Sequence, residues 1–185
     1  MAAHFRVFTE AVPLGKLVPA LLAGCSIVLK PSPETPLDAY WLAGLLEQAE
    51  IPLGVVSILP AGREAGEYLG AHPGIDKVSF TGSTAAGRKV AASCGANLKR
   101  VSLELGGKSA AVVLDDADPA AVAAGIEVAG LMNSGQACVA QTRVLVPRSR
   151  YAEYVDALAA MVETLPTGDP TDPNTVVGPL VAQRQ

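Results

Sequence analysis

Short β-branched runs alternate with longer stretches of helical period along this chain, and no other feature restricts its fold as much. Residues 26–29, 55–59, 78–81, 100–105, 110–114 and 142–146 read as strands. Thr35 is expected to cap a first helix with Pro36 at its first position and Leu37, Tyr40, Trp41 and Leu45 as its apolar face. Further helices are expected over 64–69 and 83–93. Another, Ala-rich, starts after an Asp118 cap with Pro119 at its first position and runs toward Met132. A last one covers 151–165, and from Pro166 the Pro-, Thr- and Asp-rich tail reads as loop. Strands separated by helices predict βαβ units, a mostly parallel, doubly wound sheet and an α/β class. Ligands of such sheets bind outside the carboxyl ends of the strands, here 30–35, 82–87 and 104–108. Composition shifts near Arg100, a candidate subdomain boundary.

Half of the 185 residues are apolar and 17% are charged, which excludes a disordered chain and suits one domain of about 100–200 residues. The net charge of −4 comes with no basic stripe, so nucleic acid and anionic membrane surfaces are disfavoured as partners. The longest uncharged runs, 17–29 and 128–142, fall short of the ~18–20 apolar residues that span a bilayer. Cys25, Cys94 and Cys138 are an odd, widely spaced set, which suits a reducing cytoplasm better than a disulfide framework. With His4 and His72 isolated, no metal site is expected. Leu22-Ala23-Gly24-Cys25 mimics a lipoprotein cleavage box behind Lys16, but Glu10 and Pro19 spoil the leader pattern.

Three segments carry chemistry. Phe80-Thr81-Gly82-Ser83-Thr84 is a strand, a Gly turn and a helix start, able to bring helix amides to a phosphate. Taken alone, the motif is better explained as a tight turn with Ser83 or Thr84 as simple N-cap. Glu104-Leu105-Gly106-Gly107-Lys108 sets a carboxylate at a strand end, either as a general base or as a surface partner of Lys108 or Arg100. Asn133-Ser134-Gly135-Gln136-Ala137-Cys138 is a polar break ending in a thiol. A nucleophilic cysteine needs exposure and nearby dipoles, whereas most free cysteines are small core residues, the reading that suits Cys25 and Cys94. His72, in a His-Pro-Gly turn, is a poor partner for a Cys–His hydrolase.

Taken in order and spacing with Leu29-Lys30-Pro31-Ser32, these motifs resemble those of the NAD(P)-dependent aldehyde dehydrogenases, from about Leu14 onward. The resemblance implies a Rossmann-like, parallel-sheet cofactor-binding part over 1–103 and part of an α/β catalytic domain over 104–185. It implies oxidation of a small aldehyde to a carboxylic acid with NAD or NADP, Cys138 being the nucleophile that passes through a thiohemiacetal and a thioester, and Glu104 activating the hydrolytic water. Gly82 and Ser83 are expected at the cofactor diphosphate and Lys30 at the adenosine ribose, with Ser32, Glu34, Leu105 and Gly106 completing the candidate cofactor set. The family's ribose-binding glutamate falls at Pro33, and the carboxylate comes one residue later at Glu34, which leaves NAD and NADP both open. Counting back from Lys30 to the family's oxyanion asparagine reaches Phe5-Arg6-Val7-Phe8-Thr9, with no asparagine. The chain also stops at Gln185, before the family's later Glu-x-x-x-Gly-Pro segment. An internal fragment or truncated member is therefore expected, with exposed strand edges, from a family whose full-length members are homo-oligomers. Two rival readings are a catalytically inactive nucleotide-binding remnant and a relative that passes the acyl group to coenzyme A. Glu104 favours water over coenzyme A.

Overall fold

The computed structural model describes the backbone of residues 2–185 and the side chains of residues 12–185. In chain order the elements are α1 (Ala2–Leu22), β1 (Ile27–Leu29), α2 (Leu37–Gln48), β2 (Val56–Ile58), α3 (Arg63–Ala71), β3 (Lys77–Gly82) and α4 (Thr84–Ala96). They continue with β4 (Arg100–Leu105), β5 (Ala110–Val112), α5 (Pro119–Leu131), β6 (Arg143–Leu145) and α6 (Tyr151–Thr164). Short 3₁₀ turns cover Met132–Gly135 and Arg148–Arg150. The class is α/β, and all three strand pairs, β1–β2, β3–β4 and β5–β6, are parallel with a helix in each crossover.

The doubly wound sheet expected from the alternation is replaced, among the described residues, by three separate two-stranded pairs. Four of the six strands are only three residues long. So short a strand lies at the lower limit of strand length and carries few ladder bonds, which its crossover partner takes up. The chain divides into two compact units, one formed by Arg6–Leu105 and the other containing Gly106–Gln185.

In the Arg6–Leu105 unit the six-residue strands β3 and β4 run in register from Lys77↔Arg100 to Gly82↔Leu105. Val78, Phe80 and Gly82 alternate with the exposed Lys77, Ser79 and Thr81 along β3, the period-two pattern of a half-covered strand. Helix α4 lies against the end of β4. A Cβ at Gly87 would come within 2.6 Å of a Leu105 methyl, so glycine is what permits this approach. Cys94 on the same helix is fully buried. Lys99 Nζ donates to Gly70 O (3.1 Å) and to His72 O, neutralising the C-terminal carbonyls of α3.

Four findings in this unit depart from the sequence expectations. Helix α1, with Pro13 and Pro19 inside it, precedes the first element read from the sequence, and prolines inside a helix weaken its signal. Thr35 does not cap α2; Pro36 occupies the cap position and makes no side-chain hydrogen bond there. The stripe Leu37, Tyr40, Trp41, Leu45 is exposed, and Ala39 and Leu42 are buried instead. Helix α2 is apolar on several sides, so its sequence period does not pick out the packed one. Cys25, expected in the core, is exposed.

In the Gly106–Gln185 unit, Asp118 caps α5 by accepting from Ala121 N at 3.0 Å, with Pro119 opening the helix. The loop before that cap is fastened to α6. Tyr154, 1% exposed, donates its hydroxyl to Ala117 O at 2.8 Å. Arg150 donates to Ala117 O and Asp115 O, each at 2.8 Å, and pairs with Glu153. After α6 the tail is mostly loop, held by the bridge Thr167↔Val177 and by Val176 N and Val177 N donating to Pro166 O. Among the described residues no helix is long and apolar enough to cross a membrane.

Candidate active site

Parallel pairing brings Thr81 beside Glu104 and Gly82 beside Leu105 at the C-terminal ends of β3 and β4. The chain then turns into α4. Ser83 is the N-cap, its hydroxyl accepting from Ala86 N at 3.2 Å, so the cap reading of this motif holds. The capping bond uses one of the free first-turn amides and leaves the others directed at the turn. At Gly82 a Cβ would lie 2.6 Å from the Phe80 ring, which accounts for glycine there. A Cβ at Gly106 would meet nothing within 4 Å, so packing does not demand glycine at that position.

Glu104 is exposed, and Arg100 does not pair with it. The positive charge that faces it comes from α1: Lys16 Nζ donates to Thr81 Oγ1 and interacts with the Glu104 carboxylate. Partial burial holds the Lys16 amine below the ordinary lysine range, with Glu104 opposing that shift. Lys16 is a member of this cluster that the sequence reading missed. The signal available was one charge among Leu14, Leu17 and Val18, and the prolines on either side concealed the helix that presents it.

The end of β1 carries the second cluster. Lys30 Nζ donates to Pro31 O (2.7 Å) and Ala61 O (3.1 Å), which ties the loop after β1 to the loop after β2. Ser32 Oγ donates to Glu34 Oε2 at 2.6 Å. A groove of about 250 Å³ is lined there by Pro31, Ser32, Pro33, Pro36, Pro60 and Ala61. Proline faces and the Ser32 hydroxyl make it an apolar groove with one polar edge.

Cys138 lies in the other unit, exposed in a turn between two anchored segments. Before it, Asn133, Ser134 and Gly135 all have left-handed backbone, at φ 55°, 56° and 73°. Asn133 and Gln136 close the turn reciprocally: Asn133 Nδ2 donates to Gln136 O (3.3 Å), and Gln136 Nε2 donates to Asn133 O (3.1 Å). After it, Ala140 is buried and Gln141 N donates to Ala129 O at 2.9 Å. Two non-glycine residues at positive φ cost roughly 1–2 kcal/mol each, so the surrounding contacts must hold the loop in place.

Residues 8–185 match the family described as the aldehyde dehydrogenase family. The chain belongs to that family. Geranial dehydrogenase of Castellaniella defragrans is 49% identical over 175 residues, covering 95% of this chain and 37% of that protein. Among solved structures, an aldehyde dehydrogenase of Mycobacterium tuberculosis complexed with NAD+ is 51% identical with a TM-score of 0.86, covering 90% of this chain and 34% of that one. An E. coli NADP dependent enzyme is 38% identical with a TM-score of 0.84, covering 90% and 35%. The chain spans about a third of the length of these relatives. The side chains of Phe5-Arg6-Val7-Phe8-Thr9, where the family's oxyanion asparagine was sought, lie outside the described residues of this aldehyde dehydrogenase chain.

Proposed function

We propose that this chain carries the nucleophile and the hydrolytic base of an NAD(P)-dependent aldehyde oxidation yielding a carboxylic acid. Residues 1–103 serve as part of the cofactor-binding domain and 104–185 as part of the catalytic domain. The observation that supports this reading best is the register of β3 and β4, which gathers Glu104, Leu105, Gly82 and the α4 N-terminus at one strand end. A carboxylate that could act as base, beside a helix N-terminus whose free amides favour an anion, suits aldehyde oxidation with a dinucleotide.

The residues present fit the cofactor. Gly82 and Ser83, with the free amides of α4, would hold the diphosphate. Lys30, Ser32 and Glu34 around the proline-lined groove would hold the adenosine end, and Leu105 and Gly106 would border the path toward the nicotinamide. The M. tuberculosis relative's NAD+ and the E. coli relative's NADP dependence support either cofactor. When bound, the oxidised nicotinamide supplies the acceptor for a hydride.

The Cys138 thiolate adds to the aldehyde carbon, forming a carbon–sulfur bond and an alkoxide, since an aldehyde has no leaving group of its own. Collapse of that alkoxide expels hydride and leaves a thioester on Cys138. Glu104 takes a proton from water, whose oxygen then adds to the thioester carbon; the carbon–sulfur bond breaks, releasing the acid and restoring the thiolate. The three free cysteines suit a reducing, cytoplasmic setting. The test is aldehyde-dependent NAD(P)H formation by the 185-residue chain, with Cys138→Ser and Glu104→Gln beside it. Cys138→Ser should abolish it. Glu104→Gln should give one turnover and then a steady rate lower by about 100- to 10,000-fold. Turnover in Cys138→Ser, or an unchanged steady rate in Glu104→Gln, would overturn the proposal.

A further inference from the structure

The loop that bears Cys138 is fastened to a segment some forty residues later in the same unit, by bonds that the proposed chemistry does not use. Ser134 Oγ donates to Gly178 O at 3.2 Å and accepts from Gly178 N at 3.1 Å. Gln136 Oε1 accepts from Val181 N at 2.9 Å while its Nε2 closes the turn on Asn133. The fastening segment is itself anchored. Val177 bridges Thr167, Gly168 N donates to Val177 O at 3.1 Å, and Thr175 beside it is buried.

We propose that Ser134 and Gln136 are positioning residues: together with 177–181 they hold the left-handed turn that fixes where the Cys138 sulfur sits. This rests on the reading of Cys138 as the nucleophile. The backbone of Ser134 is the reason to single it out. At φ 56° glycine is the easier residue, as at Gly135 beside it. What serine adds is a hydroxyl able to donate and accept at once, and both capacities are spent on Gly178. Gln136 is engaged at both ends, its oxygen by Val181 N and its nitrogen by Asn133 O. Cys138 is thereby held upstream by these two side chains and downstream by Ala140 and Gln141, while the thiol itself stays exposed. A nucleophile displaced by about 1 Å loses on the order of 100-fold in rate.

Ser134→Gly provides the test, because it relieves the backbone strain while removing the hydroxyl, so the fold is kept and only the fastening is lost. In the 185-residue chain the thermal midpoint should move little. Amide exchange across 132–140 should quicken about tenfold, and kcat should fall about 10- to 100-fold with the cofactor KM unchanged. Gln136→Glu keeps the acceptor for Val181 N and should lose less rate than Gln136→Met. A merely structural role would leave kcat of the strain-relieved Ser134→Gly within twofold of the parent, and that result overturns the proposal. Unchanged exchange over 132–140 overturns the fastening itself, whatever the turnover. Oxidation surviving in Cys138→Ser instead refutes the choice of nucleophile, an outcome separate from both.

Discussion

Ser83 is the cap of α4 and, in the proposed site, a neighbour of the cofactor diphosphate, so substitutions there can separate helix stability from cofactor affinity. Its hydroxyl accepts from Ala86 N at 3.2 Å in an exposed position. Removing such a cap costs about 1 kcal/mol within a range of roughly 0.5–2 kcal/mol. With a urea dependence of about 2 kcal/mol per molar, Ser83→Ala should lower the midpoint by ~0.5 M. Ser83→Asp keeps a capping acceptor and adds a negative charge at the helix N-terminus, favourable by about 0.3–1 kcal/mol, so its midpoint should equal or exceed that of the parent. Against a bound diphosphate that carboxylate is repelled. Two unit charges about 4 Å apart interact by roughly 4 kcal/mol at an effective dielectric of 20, and salt reduces this. Cofactor affinity should therefore fall by at least about 100-fold. Far-UV circular dichroism in urea reads the first quantity and NADH fluorescence titration the second. A Ser83→Asp chain that binds the cofactor within threefold of the parent would refute the diphosphate placement. An unmoved midpoint in Ser83→Ala would refute the cap argument.

Two further outcomes are expected. Lys16 has its amine pKa lowered by burial, so the unfolded chain binds that proton more tightly; stability should rise with pH from the folded value up to ~10.4. Urea midpoints of the parent minus those of Lys16→Met should accordingly increase through the alkaline range, and a flat or falling difference would count against the lowered pKa of this half-buried amine. Tyr154→Phe should cost about 1 kcal/mol, because Ala117 O keeps its Arg150 donor. Adding Arg150→Met should cost more than the two single changes together, since Ala117 O then has neither partner; simple additivity in chemical denaturation would show that the carbonyl finds another donor.

Much of the fold was legible because its signals are local. Asp118-Pro119 and Ser83 cap helices in structure as their residue types suggest, and the β-branched runs place all six strands within two residues at each end. What escaped depends on distant partners. The exposed stripe of α2 and its buried Ala39 and Leu42 cannot be told apart when most positions of the helix are apolar. Strand pairing two by two is a tertiary outcome that alternation alone does not determine. The candidate cluster was read where motif and strand end coincide, at Gly82, Ser83 and Glu104. It was missed where a group arrives from afar, as the Lys16 side chain does from sixty-five residues away and the Gly178 backbone does at Ser134.

Cys25 faces solvent together with Cys138, whereas Cys94 is sealed inside. A colorimetric titration of sulfhydryls on the native chain therefore registers two groups, only one of them tied to the proposed chemistry. Without reductant, air oxidation can join two molecules through either sulfur, and the resulting covalent dimer would mimic a natural assembly on a sizing column. Replacing Cys25 with serine before any stoichiometry or oligomer measurement removes that ambiguity and leaves Cys138 as the one exposed thiol.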